Sequence, residues 1–101
     1  MQFECVGHDR ELELFFAGEL DHHAAREVIR KLEEQVEERL PRTLVLDFAA
    51  LQFMDSSGIA VVMRAHRLMR ELGGNLRIRN LPAQAGKVLR AAAVDKLVVM
   101  T

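Results

Sequence analysis

Apolar and polar residues change period several times along the chain, and each change marks a new element. Phe3 and Cys5 alternate with polar neighbours until Gly7-His8-Asp9, a cluster that favours a turn. Leu12, Leu14 and Phe16 then resume the alternation between Glu11 and Ala17, so the pattern predicts a hairpin. After Gly18 the period lengthens: Ala25, Val28, Ile29, Leu32, Val36 and Leu40 recur at helical spacing, with Arg26, Arg30, Glu33, Glu34 and Glu37 on the other face. Asp21 is the expected N-cap, because its carboxylate can accept bonds from the first free N–H groups of the helix. Pro41 stops the helix, since it restricts the residue before it and cannot donate.

Thr43 to Phe48 reads Thr-Leu-Val-Leu-Asp-Phe, which predicts a strand buried on both faces and central in the sheet. A short connection through Leu51 and Phe53 is expected to lead to Asp55-Ser56-Ser57-Gly58. Ile59, Val62, Met63, His66 and Met69 then repeat at helical spacing until Gly73-Gly74, giving a second helix capped by Asp55 or Ser56. Leu76 and Ile78 alternate with Arg77 and Arg79, a fourth strand with one wet face. Pro82 suits the first turn of a third helix holding Val88, Leu89 and Ala92, and Leu97 to Met100 reads as a last strand. The order β-β-α-β-α-β-α-β predicts a single α/β domain over residues 1–101. Its sheet is expected to be mixed and mostly parallel, with an N-terminal hairpin, right-handed crossovers and helices packed against it.

Composition narrows the function classes. With 101 residues, half of them apolar, the chain can bury one core and no second. Fourteen Lys and Arg stand against 15 Asp and Glu, a net charge of −1, so nucleic acid and anionic lipid are not expected partners. Apolar runs such as Ile59 to Met63 are far too short to cross a bilayer, and Met1-Gln2-Phe3-Glu4 lacks the basic start of a leader. A cytoplasmic location is the expectation. Cys5 is alone, which excludes an internal disulfide and a cysteine zinc cluster, and it reads as a small strand hydrophobe.

Asp55-Ser56-Ser57-Gly58 falls at the carboxyl end of the central strand, where open α/β sheets usually place their sites. A hydroxyl there either caps backbone N–H groups or stands exposed as a reactive group. A phosphate on it would add about −1.5 to −2 charges, which the dipole and free N–H groups of the helix start can tolerate. The residues alone do not choose between Ser56 and Ser57. A small anion, or the phosphate of a nucleotide, held at the same helix start is the ligand-binding alternative. Nucleophilic catalysis needs a base, and only His8, His22, His23 and His66 offer an imidazole. His66 lies more than two turns beyond Ser56 on its own helix, and a Gly-x-Ser-x-Gly elbow is missing, so no enzyme is expected. His22 and His23, being adjacent, are expected to point in different directions and to hold no metal. Gly58 is isolated and Gly73-Gly74 follows a helix, so there is no P-loop or dinucleotide fingerprint, and neither ATP nor another cofactor is expected. The stripe containing Met63 and Met69 reads as core, and Arg64, Arg67, Arg70, Arg77 and Arg79 read as a solvated face.

Taken in order and spacing, Gly18-Glu19-Leu20-Asp21-His22-His23, Leu44-Val45-Leu46-Asp47-Phe48 and Phe53-Met54-Asp55-Ser56-Ser57-Gly58-Ile59 resemble the STAS-domain anti-sigma factor antagonists of bacteria. The likeness is strongest to the sporulation anti-sigma factor antagonist and covers nearly the whole chain. It implies a partner-switching module that binds an anti-sigma factor serine kinase, thereby freeing a sigma factor. It also implies phosphorylation of Ser56, with Ser57 unmodified, and reversal by a metal-dependent serine phosphatase. Asp21 matches the acidic position of the first motif, and Glu19, Asp21, His22, Asp55, Ser56, Ser57 and Gly58 become the implied partner-binding residues. ATP and magnesium then belong to the kinase. Other family members serve anion transporters, lipid transport or stress signalling, so a STAS module of another signalling complex is the implied alternative. Because the chain stops at Thr101, the closing helix of longer members is expected to be shortened or absent.

Overall fold

The computed structural model describes residues 1–101. The elements are β1 (Gln2–His8), β2 (Glu11–Leu20), α1 (His22–Arg39), β3 (Thr43–Met54), α2 (Ser57–Leu72), β4 (Asn75–Arg79), α3 (Ala83–Ala91) and β5 (Val99–Met100), with a 3₁₀ turn at Val94–Lys96 before β5. The strands lie in sequence order, β1 antiparallel to β2 and every later pair parallel. Right-handed crossovers between strands laid down in one direction put every helix on the same face of the sheet. That face carries one core of 24 buried residues drawn from all three helices, strands β2, β3 and β4, and Val94 and Val98 of the segment before β5. Phe16 packs edge-to-face on Phe3 and on Phe48, at 5.1 and 5.0 Å between ring centres, tying β1, β2 and β3 together. Cys5 lies partly buried against this core, and burial pushes its thiol pKa up.

The apolar run in β3 is indeed buried on both sides, but no helix covers the second face. Leu44, Leu46 and Phe48 point into the core, while Val45 and Asp47 point away and are still only 4% and 6% exposed. The register sets Val45 between Glu13 and Arg77, and Asp47 between Phe15 and Arg79. Long side chains from the flanking strands therefore do the covering. Arg79 is the main one: it is half-exposed, but paired with carboxylates and not a free solvated cation. Its Nε donates to Asp47 Oδ2 at 2.9 Å and its guanidinium also pairs with Glu13. The Asn80 amide and the Ala49 N–H donate to the Asp47 carboxylate as well, at 3.1 and 2.9 Å. Burial alone would raise the Asp47 pKa, yet these three donors together hold it below the ordinary value. Arg64 is likewise engaged, with Glu33 of α1 across the helix pair.

Other differences from the sequence reading have local causes. The hairpin turn is Asp9-Arg10, with Asp9 at φ 54°, so Gly7 and His8 remain in β1. β3 does not end at Phe48: it continues to Met54, because β2 extends to Leu20 and keeps pairing with it. The stretch through Leu51 and Phe53 is thus strand and not a connection. Two register slips accompany it, and Gly18 at φ 100° lies at one of them, a conformation that strains any residue with a Cβ. Leu40 leaves the α1 stripe, since it turns left-handed as the C-cap and is 61% exposed. Pro82 precedes α3 as its N-cap in extended backbone, and Ala92 follows it as the C-cap. Of the tail, only Val99 and Met100 pair as a strand.

Candidate functional site

Parallel pairing brings two strand ends side by side. Glu19 is in register with Phe53 and Leu20 with Met54, and the Asp55 N–H donates to Leu20 O at 3.1 Å. The starts of α1 and α2 therefore emerge next to each other, from β2 and β3. At the first, Asp21 accepts from Ala24 N–H at 3.0 Å and His23 N–H at 3.1 Å. These bonds, Ala24's foremost, hold its carboxyl below the usual range, so the expected cap is observed. His22 and Glu19 are exposed. The His22 and His23 rings lie 4.1 Å apart and tilted by 36°, so they stack on one another instead of pointing apart.

At the second start, the open choice of cap is decided for Asp55. Its Oδ1 accepts from Ser57 N–H at 2.8 Å, whereas Ser56 has helical backbone angles and its hydroxyl makes no capping bond. The Gly58 N–H is taken by Asp55 O and the Ile59 N–H by Ser56 O. Three N–H groups at this helix start, those of Ser57, Gly58 and Ile59, are thus already engaged. Ser56 is exposed, Ser57 half-buried, and Gly58 buried. Glu19, Asp21 and Asp55 join none of the ion pairs of the chain. Phe53, 42% exposed, adds an aromatic ring to the same rim.

Gly58 serves packing and offers no contact surface. A Cβ there would stand 2.3 Å from Met54 Cγ and 2.5 Å from its Sδ, and Met54 is fully buried. Gly58→Ala is expected to lower stability by about 1–3 kcal/mol through overpacking. Thermal melting checks this, with an unchanged midpoint counting against the close approach.

Sequence reasoning missed one residue beside the site. Gln84, in the first turn of α3, hydrogen-bonds the backbone of Met54 with both ends of its amide. No local pattern marks it, because its partner lies 30 residues away.

Fold and site together define a small α/β module that displays a hydroxyl where a strand passes into a helix, near carboxylates that join no ion pair. The chain belongs to the STAS-domain family, whose model matches residues 2–101. It is 30% identical over 97 residues to the anti-sigma F factor antagonist of Paenibacillus polymyxa, covering 96% of this chain and 83% of that protein. Among solved structures it resembles the anti-sigma factor antagonist SpoIIAA in its unphosphorylated form, with TM-score 0.86 and 25% identity over 99% of this chain and 88% of the other. It also resembles the Bacillus cell fate determinant SpoIIAA in the phosphorylated form, with TM-score 0.77 and 25% identity over 99% and 91%. The five-stranded mixed sheet and three helices are the STAS fold. No helix is long and apolar enough to cross a membrane.

Proposed function

We propose that this chain is an anti-sigma factor antagonist controlled by phosphorylation. Unmodified, it binds an anti-sigma factor serine kinase and so frees a sigma factor for transcription; phosphorylated at Ser56, it releases the kinase. The observation that carries the reading is the exposed Ser56 hydroxyl, which the helix cap does not use, set beside carboxylates that join no ion pair. The likeness to named anti-sigma factor antagonists supports the same conclusion. In this reading the docking surface comprises Glu19, Asp21, His22, Asp55, Ser56 and Ser57, with Gly58 beneath them. The kinase supplies ATP and magnesium, a metal-dependent phosphatase removes the phosphate, and the exchange takes place in the cytoplasm. The chain itself contributes no catalytic group.

A bound small anion is disfavoured as the main role, since the Ser57, Gly58 and Ile59 N–H groups at the start of α2 already have acceptors. Incubation with the cognate kinase and Mg-ATP is expected to add one phosphate, mapped to Ser56 by mass spectrometry and lost in Ser56→Ala. Labelling that persists in Ser56→Ala would remove the assignment.

A further inference from the structure

Strand β3 outruns β4. The last residue pair shared by the two is Asp47 with Arg79, whereas pairing with β2 continues to Met54. On the β4 side the end of β3 therefore has no ladder. Met54 meets a side chain there: Gln84 Oε1 accepts from the Met54 N–H at 2.8 Å, and Gln84 Nε2 donates to Met54 O at 2.7 Å. A primary amide carries the same donor and acceptor as a peptide group, so Gln84 acts as a strand one residue long. The chain then passes directly to Asp55, whose carboxylate caps α2, and to Ser56.

We propose that Gln84 is a positioning residue for Ser56. By holding both polar groups of Met54 it fixes the direction in which Asp55 and Ser56 leave the sheet, and it ties α3 to the modification site. The proposal rests on the reading of Ser56 as the phosphate acceptor. In that reaction Ser56 Oγ bonds to the γ-phosphorus of ATP, the bond from that phosphorus to the β-phosphate oxygen breaks, ADP leaves, and the hydroxyl proton passes to the kinase or to water. The attacking and leaving oxygens must be roughly in line, and a displacement of about 1 Å can cost on the order of 100-fold in rate. Docking is spread over a wider surface and tolerates the same displacement better.

Two variants separate positioning from general loosening. Gln84→Ala removes both bonds. It is expected to lower kcat for phosphorylation by the cognate kinase at least ~10-fold while KM stays within about 2-fold, because alignment and not docking is lost. The Met54 amide should lose hydrogen-exchange protection while the protein stays folded at the assay temperature. Gln84→Glu keeps an acceptor for the Met54 N–H, but as a carboxylate it faces Met54 O without a donor; once protonated it regains both. Its kcat relative to the wild type, and its Met54 protection factor, should therefore recover as pH falls, and by more than the gain in folded fraction read from melting at each pH, since a merely weakened fold recovers only through that fraction. A wild-type kcat in Gln84→Ala, or a rate deficit in Gln84→Glu that ignores pH, would overturn the proposal. Should the wild type accept no phosphate, the switch reading is what fails, and Met54 exchange still tests the clamp: protection unaltered in both variants rejects it.

Discussion

Phosphorylated at Ser56, the protein is expected to bind its kinase about 30- to 150-fold more weakly than the unmodified form, the equivalent of roughly 2–3 kcal/mol. The phosphate enters beside Asp55, across the strand pair from Glu19 and Asp21, and none of these carboxylates has a cationic partner in the chain. At about 7 Å, repulsion between a phosphate and one carboxylate, of the kinase or of this chain, is roughly 1 kcal/mol in water and several times larger in a partly dehydrated interface, so the penalty falls on the docked state. The protein need not unfold to switch, because the Asp55 carboxylate and backbone oxygens, not the Ser56 hydroxyl, hold the first turn of α2. Calorimetric titration of the kinase with both forms measures the difference, and melting of both checks that the fold is kept. Equal affinities would defeat the electrostatic account. Ser56→Asp should give a smaller effect in the same direction, since one carboxylate carries less charge than a phosphate.

Asp47→Ala is expected to have the largest effect on stability, about 2–3 kcal/mol, because it strips a buried carboxylate from the Arg79, Asn80 and Ala49 donors at once. The figure sits below that of a fully buried pair, because Arg79 keeps 40% of its side chain exposed and can turn to water. In a domain of this size the melting midpoint should fall by roughly 10–20 °C. The pH dependence has a definite sign. Burial opposes ionisation of Asp47, but its three donors win; in Glu13 the Arg79 guanidinium, then His8, lower the pKa. Folded-state values below the unfolded ones mean that the unfolded chain binds more protons, so this stabilisation is present above about pH 4 and is lost as pH falls through the folded values. Asp47→Ala should therefore flatten the acid limb of the stability curve. His8 runs the other way: its bond to Glu13 raises its pKa, so that contribution exists below pH 6.5 and fades as pH rises through the folded value. An Asp47→Ala protein that melts like the wild type at every pH would show that the network does not hold the open face.

The period changes at Gly18, Pro41 and Gly73 place the elements, since apolar spacing and the conformational limits of Pro and Gly act within a few residues. The Asp21 cap was legible for the same reason. The helix-facing stripe in α1 held through Val36 and failed at Leu40, where the left-handed cap turned the side chain outward. The apolar run predicts β3 only to Phe48, since Ala49-Ala50 are weak strand formers and Gln52 is polar, while its continuation depends on β2, which lies more than 30 residues away along the chain. The arginines of β4 look alike in sequence, and only the register sends Arg79 to Asp47 and Glu13.

By itself, then, the order of apolar and polar residues determined an α/β domain with a serine pair at the joint after its central strand, because periodicity, capping and turn chemistry are local properties of the chain. Tertiary structure alone decided which face stays free of helices, that Asp55 and not Ser56 secures α2, and that Gln84 completes the end of β3. Those outcomes depend on which residues meet across the sheet, and pairing between distant segments is set by packing the whole core at once.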